Sequence, residues 1–252
     1  MAAEEALSSA EAAVGRGDFA AAERALTAEW PTQAQMTGDA LHVLASVRFG
    51  EGKIDQAAQL LKSAVALEPD ALRHRIALGH TLTNLEDHAG AAAAFGEAMR
   101  INMKWPGLIQ AYAMACYNAG NFKEAELAAR EMLKADPSPQ AYDTLSCALR
   151  GQGKAQEALA AADEAARRAP ENPAIQHTRA AALLQLGRAQ EALDILDNLQ
   201  ARGVQAPVIW LNKGKALASL KRQSDAVAAF TEGARRWPKH KDLQKALAEA
   251  RP

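Results

Sequence analysis

Small and apolar positions return along the chain with a nearly constant period. An alanine recurs at separations of 33 to 35 residues, as Ala22, Ala57, Ala91, Ala125, Ala158, Ala192 and Ala226. A larger apolar residue often follows four positions later, as at Leu61, Phe95, Leu196 and Phe230. Residues four apart lie on the same side of an α-helix, so each copy has one apolar helical face. A period this regular indicates an array of repeated helical units.

Each copy has the pattern of a helix, a turn and a second helix. The first helix has a small residue at its eighth position, where a partner helix can come close. These residues are Ala10, Ala45, Gly79, Ala113, Ser146, Ala180 and Gly214. Five copies end that helix with a glycine, at Gly17, Gly52, Gly120, Gly153 and Gly187. We expect a left-handed backbone there, although Glu86 and Lys221 replace the glycine in the other two copies.

The periodicity predicts an all-α chain whose residues 1–252 form a single domain. Seven units are predicted, near residues 3–37, 38–71, 72–105, 106–138, 139–172, 173–206 and 207–240. The segment 241–250 has Leu243, Ala246 and Leu247 at helical spacing. We expect this segment to form a capping helix over the apolar face of the last unit, as terminal elements of repeat arrays do.

Two stretches of the chain resemble the tetratricopeptide repeat family. The first joins Leu78-Gly79 to Ala91, Phe95 and Ala98, and the second joins Trp210 to Gly214, Ala226, Phe230 and Pro238. The likeness covers about residues 3–240 and is weakest over 3–36 and at Arg179, which stands where the family has leucine. The resemblance implies a right-handed α-solenoid of helix-turn-helix repeats whose first helices line a concave groove. It also implies a non-catalytic scaffold or adaptor that binds a peptide segment of a partner protein there.

If the family geometry holds, positions 2, 5, 6, 9, 12 and 13 of each first helix face the groove. The predicted protein-binding residues are Arg73, His80, Asn84, Gln110, Met114, Tyr117, Asn118, Asp143, Cys147, Arg150 and His177. We expect Met114, Tyr117 and Arg150 to lie together, and they are of the types enriched at binding hot spots. The alternative is that these are hydrated polar residues on a stretch of groove that binds nothing.

The sequence lacks the motifs that usually carry catalysis. It contains no His-Glu-x-x-His, paired cysteine ligands, phosphate-binding glycine loop or nucleophile elbow. We therefore expect no enzymatic activity, no catalytic residue and no cofactor. His42 and His80 lie at groove-facing positions 5 and 9 of neighbouring copies and could approach each other, but two imidazoles without a third ligand make a poor metal site, so no metal is expected. Cys116 and Cys147 are predicted to be buried thiols.

Charge is uneven along the chain. After Gln200 there are 11 basic and 4 acidic residues, a net charge of +7, which leaves −8 for the preceding part of a chain of net charge −1. An acidic partner segment could be steered to the C-terminal end, or two molecules could associate through oppositely charged ends. Nucleic acid is not expected as a partner, because the basic residues are not interleaved with aromatic ones and no duplex-reading motif is present.

The N-terminal region has Glu4 and Glu5 where a secretory signal would need positive charge, and no apolar run has the length of a membrane span. We therefore expect a cytoplasmic protein without membrane contact. One alternative is that the chain is the substrate-recruiting part of a larger enzyme, of a bacterial glycosyltransferase, sulfotransferase or oxygenase type, whose catalytic domain is absent. A natural reading frame that continues past Pro252 would favour this alternative.

Overall fold

Each helical unit turns at one residue with a left-handed backbone. In this computed structural model, which describes residues 2–105 and 107–250, φ lies between +74° and +80° at Gly17, Gly52, Gly120, Gly153 and Gly187. Glu86 and Lys221 interrupt the glycine column and adopt the same region, with φ of 60° and 61°. The turn is therefore kept in all seven copies, although a residue with a Cβ is strained in this conformation.

The helices group into two compact units, residues 1–121 and 122–252, which are described separately. In the first unit the described residues form seven α-helices, with one short 3₁₀ turn at Gln33–Gln35 between the second and the third. They are α1 (Ala2–Gly15), α2 (Phe19–Glu29), α3 (Gly38–Gly50), α4 (Ile54–Leu67), α5 (Leu72–Asn84), α6 (His88–Ile101) and α7 (Leu108–Asn118).

The second unit contains eight α-helices over the residues described. They are α8 (Phe122–Ala135), α9 (Pro139–Gly151), α10 (Ala155–Arg168), α11 (Pro173–Gln185), α12 (Ala189–Ala201), α13 (Pro207–Ser219), α14 (Gln223–Arg236) and α15 (Lys241–Ala250). Proline occupies the first turn of α9, α11 and α13, where the missing N–H costs no helical hydrogen bond.

Within each unit, consecutive helices pack as antiparallel pairs, and the first helices of successive pairs also touch. In the first unit α3 contacts both α1 and α5, and in the second unit α11 contacts both α9 and α13. The first helices α1, α3 and α5 therefore adjoin one another in the first unit, and α9, α11 and α13 do so in the second. The prediction of an all-α solenoid of helix-turn-helix repeats is confirmed, whereas its description as a single domain stays a prediction.

The alanine column forms the centre of the helix pairs. All seven of its alanines are completely buried, with 0% exposure. The small residues at the eighth position of the first helix are buried as well, because bulky groups of the second helix occupy the space beside them. A Cβ on Gly79 would lie 2.5 Å from the ring of Phe95, and one on Gly214 would lie 2.2 Å from that of Phe230. Ser146 Oγ donates a hydrogen bond of 2.8 Å to the Ala158 carbonyl.

The C-terminal helix α15 caps the second unit, as predicted. Leu243 is completely buried and Leu247 is 8% exposed, and both belong to an apolar cluster with Leu217 and Phe230. The expected first residue of the fourth unit, Pro106, lies outside the described residues, and α7 begins at Leu108, after a left-handed Gly107 (φ 76°). Among the described helices, none is both long and apolar enough to cross a membrane.

Candidate functional site

The first helices of the second unit bring four predicted site residues onto one face. Asp143, Cys147 and Arg150 lie on α9, and His177 lies on the neighbouring α11. Cys147 Sγ is 3.9 Å from the hydroxyl oxygen of Thr178 on α11, which also hydrogen-bonds Asp143. The residues therefore form a connected polar layer between α9 and α11.

The same layer continues onto α13. The side-chain amide of Asn212 donates a hydrogen bond of 2.8 Å to Nε2 of His177. Between α9 and α11, the Gln185 amide donates a hydrogen bond of 3.1 Å to the backbone carbonyl of Arg150. These contacts hold Asn212 and Gln185 in place on the face of the three helices.

Burial shifts the ionisation of three groups in this layer. It raises the pKa of Asp143, against the effects of Thr178 and Arg150. It also raises the pKa of the Cys147 thiol, and the nearby Asp143 adds to that effect. Burial and the charge of Arg150 lower the pKa of His177 to about 4. At neutral pH His177 is therefore a neutral acceptor and Cys147 is a protonated thiol, which is a weak nucleophile.

Next to this polar layer lies an open depression between α9, α11 and α13, which we call the basic concavity. Its polar lining consists of Arg150, Gln185, Asn212, Lys215 and Ser219, with Ala181, Leu184, Ala218 and Phe230 between them. Two side chains of this lining are cationic, and none of its described residues is acidic. Such a surface suits an anionic group that can also accept hydrogen bonds from amides.

The predicted site residues of the first unit are more dispersed. Arg73 pairs with Asp39. The side-chain amide of the exposed Asn84 donates a hydrogen bond of 2.9 Å to the backbone carbonyl of His80. On α7, Tyr117 is half-buried, and the more exposed predicted residues are Gln110, Met114 and Asn118. Tyr117 and Met114 belong to the first unit and Arg150 to the second, so the expected cluster of these three stays a prediction.

Sequence reasoning missed an apolar depression on the first unit. It is lined by Val14, Phe19 and Phe49 together with the predicted residue His80. Phe49 is 38% exposed and occupies position 12 of its copy, which the family geometry turns inward. An aromatic residue at a groove-facing position was the signal that could have found it.

His42 and His80, whose positions in the sequence would allow an approach, each have another aromatic partner. His42 Nδ1 instead lies 3.0 Å from Nδ1 of His74, while the ring of His80 meets Phe95 edge-on with centroids 5.0 Å apart. The neighbouring helices α3 and α5 are offset, so position 5 of one copy lies level with position 3 of the next. Burial lowers the pKa of His42 to about 4, and it also lowers that of His74, where Glu68 opposes the shift. Cys116 is buried as predicted, and Cys147 is half-buried.

Two sequence models of the tetratricopeptide repeat match the chain, one over residues 42–103 and one over residues 149–215. The chain belongs to the tetratricopeptide repeat family. Proteins of this family are generally non-catalytic scaffolds for protein–protein interaction. No curated protein matches the sequence.

Solved structures share the tetratricopeptide repeat fold of the chain. A tetratricopeptide repeat protein from Parabacteroides merdae superposes with a TM-score of 0.83 at 15% identity, covering 99% of this chain and 98% of that one. A thermophilic one from Thermus thermophilus has a TM-score of 0.63 at 23% identity, covering 71% and 98%. A chain of the APC/C hetero-tetramer Cut9–Hcn1 has a TM-score of 0.67 at 14% identity, covering 96% of this chain and 48% of that one. At these identities the likeness establishes the fold alone.

Proposed function

We propose that this chain is a non-catalytic adaptor that binds an acidic peptide segment of a partner protein in the basic concavity of its second unit. The observation that carries the proposal is the lining of that depression. Arg150 and Lys215 supply positive charge, and Gln185 and Asn212 supply amide groups. Carboxylates form their strongest hydrogen bonds with charged donors, so an Asp- or Glu-rich segment fits this lining.

The hydrogen bonds beneath the concavity support the same function. Asn212 is oriented by its bond to His177, and Gln185 is oriented by its bond to the backbone of Arg150. A side chain that is already ordered loses less conformational entropy when a ligand binds. In this proposal Asp143, Cys147 and His177 act by positioning their neighbours rather than by direct contact.

The charge of the surrounding chain favours the same partner. The residues after Gln200 carry a net charge of +7 and include Lys215. A field of this sign attracts an acidic segment and raises its rate of association at low ionic strength. The related fold in Cut9–Hcn1 belongs to a hetero-tetramer, which supports a protein partner for this chain as well.

The first unit offers a further contact area in the same proposal. Its exposed predicted residues Arg73, His80, Asn84, Gln110, Met114 and Asn118, together with Tyr117, would contact parts of the partner outside the acidic segment. The apolar depression with Phe19 and Phe49 suits an apolar side chain of that partner.

A selection from a random displayed-peptide library tests the proposal even though the partner is unidentified. We expect the selected peptides to be rich in Asp and Glu, and their affinity to fall as salt is raised. Lys215→Glu should weaken a selected peptide by at least about tenfold, since a like charge then faces the ligand.

The matched control is Lys123→Glu, which makes the same charge change at an exposed position of α8 outside the concavity. This variant should bind the selected peptide with nearly unchanged affinity. Peptides without acidic enrichment, or equal losses in the two variants, would refute the basic concavity as the binding site.

A further inference from the structure

Three potential metal ligands from three helical segments meet near the ends of α3, α4 and α5 in the first unit. Asp39 lies in the first turn of α3, Glu68 directly follows α4, and His74 lies in the first turn of α5. One ligand atom from each side chain lies within 4.8 Å of the other two. The grouping arises because α4 packs on both α3 and α5, and the connection from Glu68 to α5 is short.

The distances within this cluster suit a small cation. His74 Nε2 lies 3.1 Å from Glu68 Oε2 and 3.4 Å from Asp39 Oδ1. Two ligands bound tetrahedrally to Zn²⁺ at about 2.0–2.2 Å are themselves about 3.4 Å apart. Small rotations of the two carboxylates would therefore bring all three atoms to bonding distance of one ion.

The imidazole is fixed in the orientation that metal binding needs. His74 is completely buried, and its second nitrogen, Nδ1, lies 3.0 Å from Nδ1 of His42. When Nε2 of His74 coordinates a metal, its Nδ1–H can donate to the unprotonated nitrogen of His42. Metal-bound histidines generally have such a partner for the other nitrogen, because it fixes both tautomer and ring orientation.

The cluster is also accessible to ions. The side chains of Asp39 and Glu68 are 31% and 39% exposed, so a cation can enter from solvent and keep water in its remaining position. Arg73 pairs with Asp39 and would compete with the cation, but its side chain is 53% exposed and can turn into solvent. Imidazole with carboxylates favours a divalent transition metal such as Zn²⁺ over Mg²⁺ or Ca²⁺, which prefer oxygen ligands alone.

We propose that Asp39, Glu68 and His74 form a binding site for one divalent transition-metal ion of the Zn²⁺ type, with His42 as the positioning residue behind His74. The ion would join the ends of three helical segments within the first unit. This site is independent of the peptide-binding concavity of the second unit, so either proposal can fail without the other.

Calorimetric titration of the tag-free full chain with ZnCl₂ tests the site. We expect one ion per chain, and both Asp39→Asn and Glu68→Gln should weaken binding by at least about tenfold, since each removes a charged ligand. Arg73→Ala should tighten binding because it removes the competing cation. His80→Asn, which alters an exposed histidine of the same unit outside the cluster, should leave the affinity unchanged.

A spectroscopic measurement on the unaltered chain accompanies the titration. In a long-range ¹H–¹⁵N spectrum, one equivalent of ZnCl₂ should shift the Nε2 resonance of His74 and leave that of His80 in place. The proposal would be overturned by the absence of stoichiometric binding or by a His74 resonance that does not move. It would also be overturned if the folded variants Asp39→Asn and Glu68→Gln bound Zn²⁺ as tightly as the unaltered chain does.

Discussion

At the scale of single residues, the turn between paired helices imposes one backbone conformation on many side chains. Glycine meets it in five copies, whereas Glu86 and Lys221 adopt it with φ near +60°. A residue with a Cβ in this region costs about 1–2 kcal/mol relative to glycine, although glycine also gains entropy in the unfolded chain. These two turns therefore contain strain that the other five avoid.

Replacing Lys221 by glycine should stabilise the protein. We expect Lys221→Gly to raise the free energy of unfolding by about 0.5–1 kcal/mol, because relief of the left-handed strain exceeds the entropy gained by the unfolded chain. Urea unfolding followed by circular dichroism measures the change. Lys62→Gly, the same substitution inside α4, should instead lower the stability by about 1 kcal/mol. A loss of stability in both variants would contradict the strain argument.

His177 should make stability depend on pH. Its pKa is about 4 in the folded protein and near 6.5 in a solvated histidine, so the unfolded chain binds more protons between these values. The contribution of His177 to stability is therefore fully present above about pH 7, and it is lost as pH falls through 6.5 towards 4. We expect His177 to account for a loss of about 1–2 kcal/mol between pH 7 and pH 5.

The measurement is the free energy of unfolding at several pH values for the unaltered chain and for His177→Gln, which keeps an acceptor for Asn212. The variant should show a smaller loss at pH 5, with a remainder from His42, whose pKa is also about 4. An identical pH profile in both proteins would mean that His177 is solvated and that Asn212 does not depend on it.

At the scale of helices, the terminal element α15 replaces the neighbour that the last repeat lacks. Leu243 is completely buried in an apolar cluster with Leu217 and Phe230 of α13 and α14. Without this helix, the apolar surface of the last pair would face water, as at any uncapped end of a repeat array.

Shortening Leu243 should destabilise the second unit. Leu243→Ala removes buried methyl groups and leaves a cavity, so we expect a loss of about 2–4 kcal/mol in the free energy of unfolding. Lys245→Ala, on the exposed side of the same helix, should change the stability by less than about 0.5 kcal/mol. Chemical denaturation of both variants makes the comparison. A small effect of Leu243→Ala would show that α15 does not cap the array.

The helices were predictable because their signals are local and repeated. The left-handed turns and the burial of the alanine column both follow from steric requirements within one helix pair. The same requirements recur in seven copies and are therefore visible in the sequence. The contact of His42 with His74 depends on the offset between two first helices, and the cluster of Asp39, Glu68 and His74 joins three segments. Such relations depend on tertiary packing and have no periodic signal.

The candidate site could be predicted from the sequence only in part. Asp143, Cys147, Arg150 and His177 come together on the second unit because family positions place them on one face. Lys215 also lies at a position that the family geometry turns towards the groove. The hydrogen bonds that orient Asn212 and Gln185, however, depend on how far α11 and α13 are shifted along their axes relative to their neighbours. Burial of those groups, and hence their pKa shifts, also depends on packing.

At the scale of the whole molecule, a repeat array spreads its stability and its binding surface along the chain, whereas a globular domain concentrates them in one core and one pocket. Each helix pair packs only with its neighbours, so stability is approximately a sum over pairs and contacts between them. Exposed first helices can therefore vary in their side chains without loss of the fold. In this chain the lining of the depression on the second unit is cationic, and that of the depression on the first unit includes Phe19 and Phe49.

The most direct test of the central claim is an amide spectrum of the labelled chain titrated with a selected acidic peptide. We predict that the largest shifts fall on α9, α11 and α13, and that the side-chain amides of Gln185 and Asn212 move with the same affinity. Lys215→Glu should strongly reduce these shifts at the same peptide concentration. Shifts confined to the second helices or to the first unit would contradict the claim that the basic concavity binds the partner.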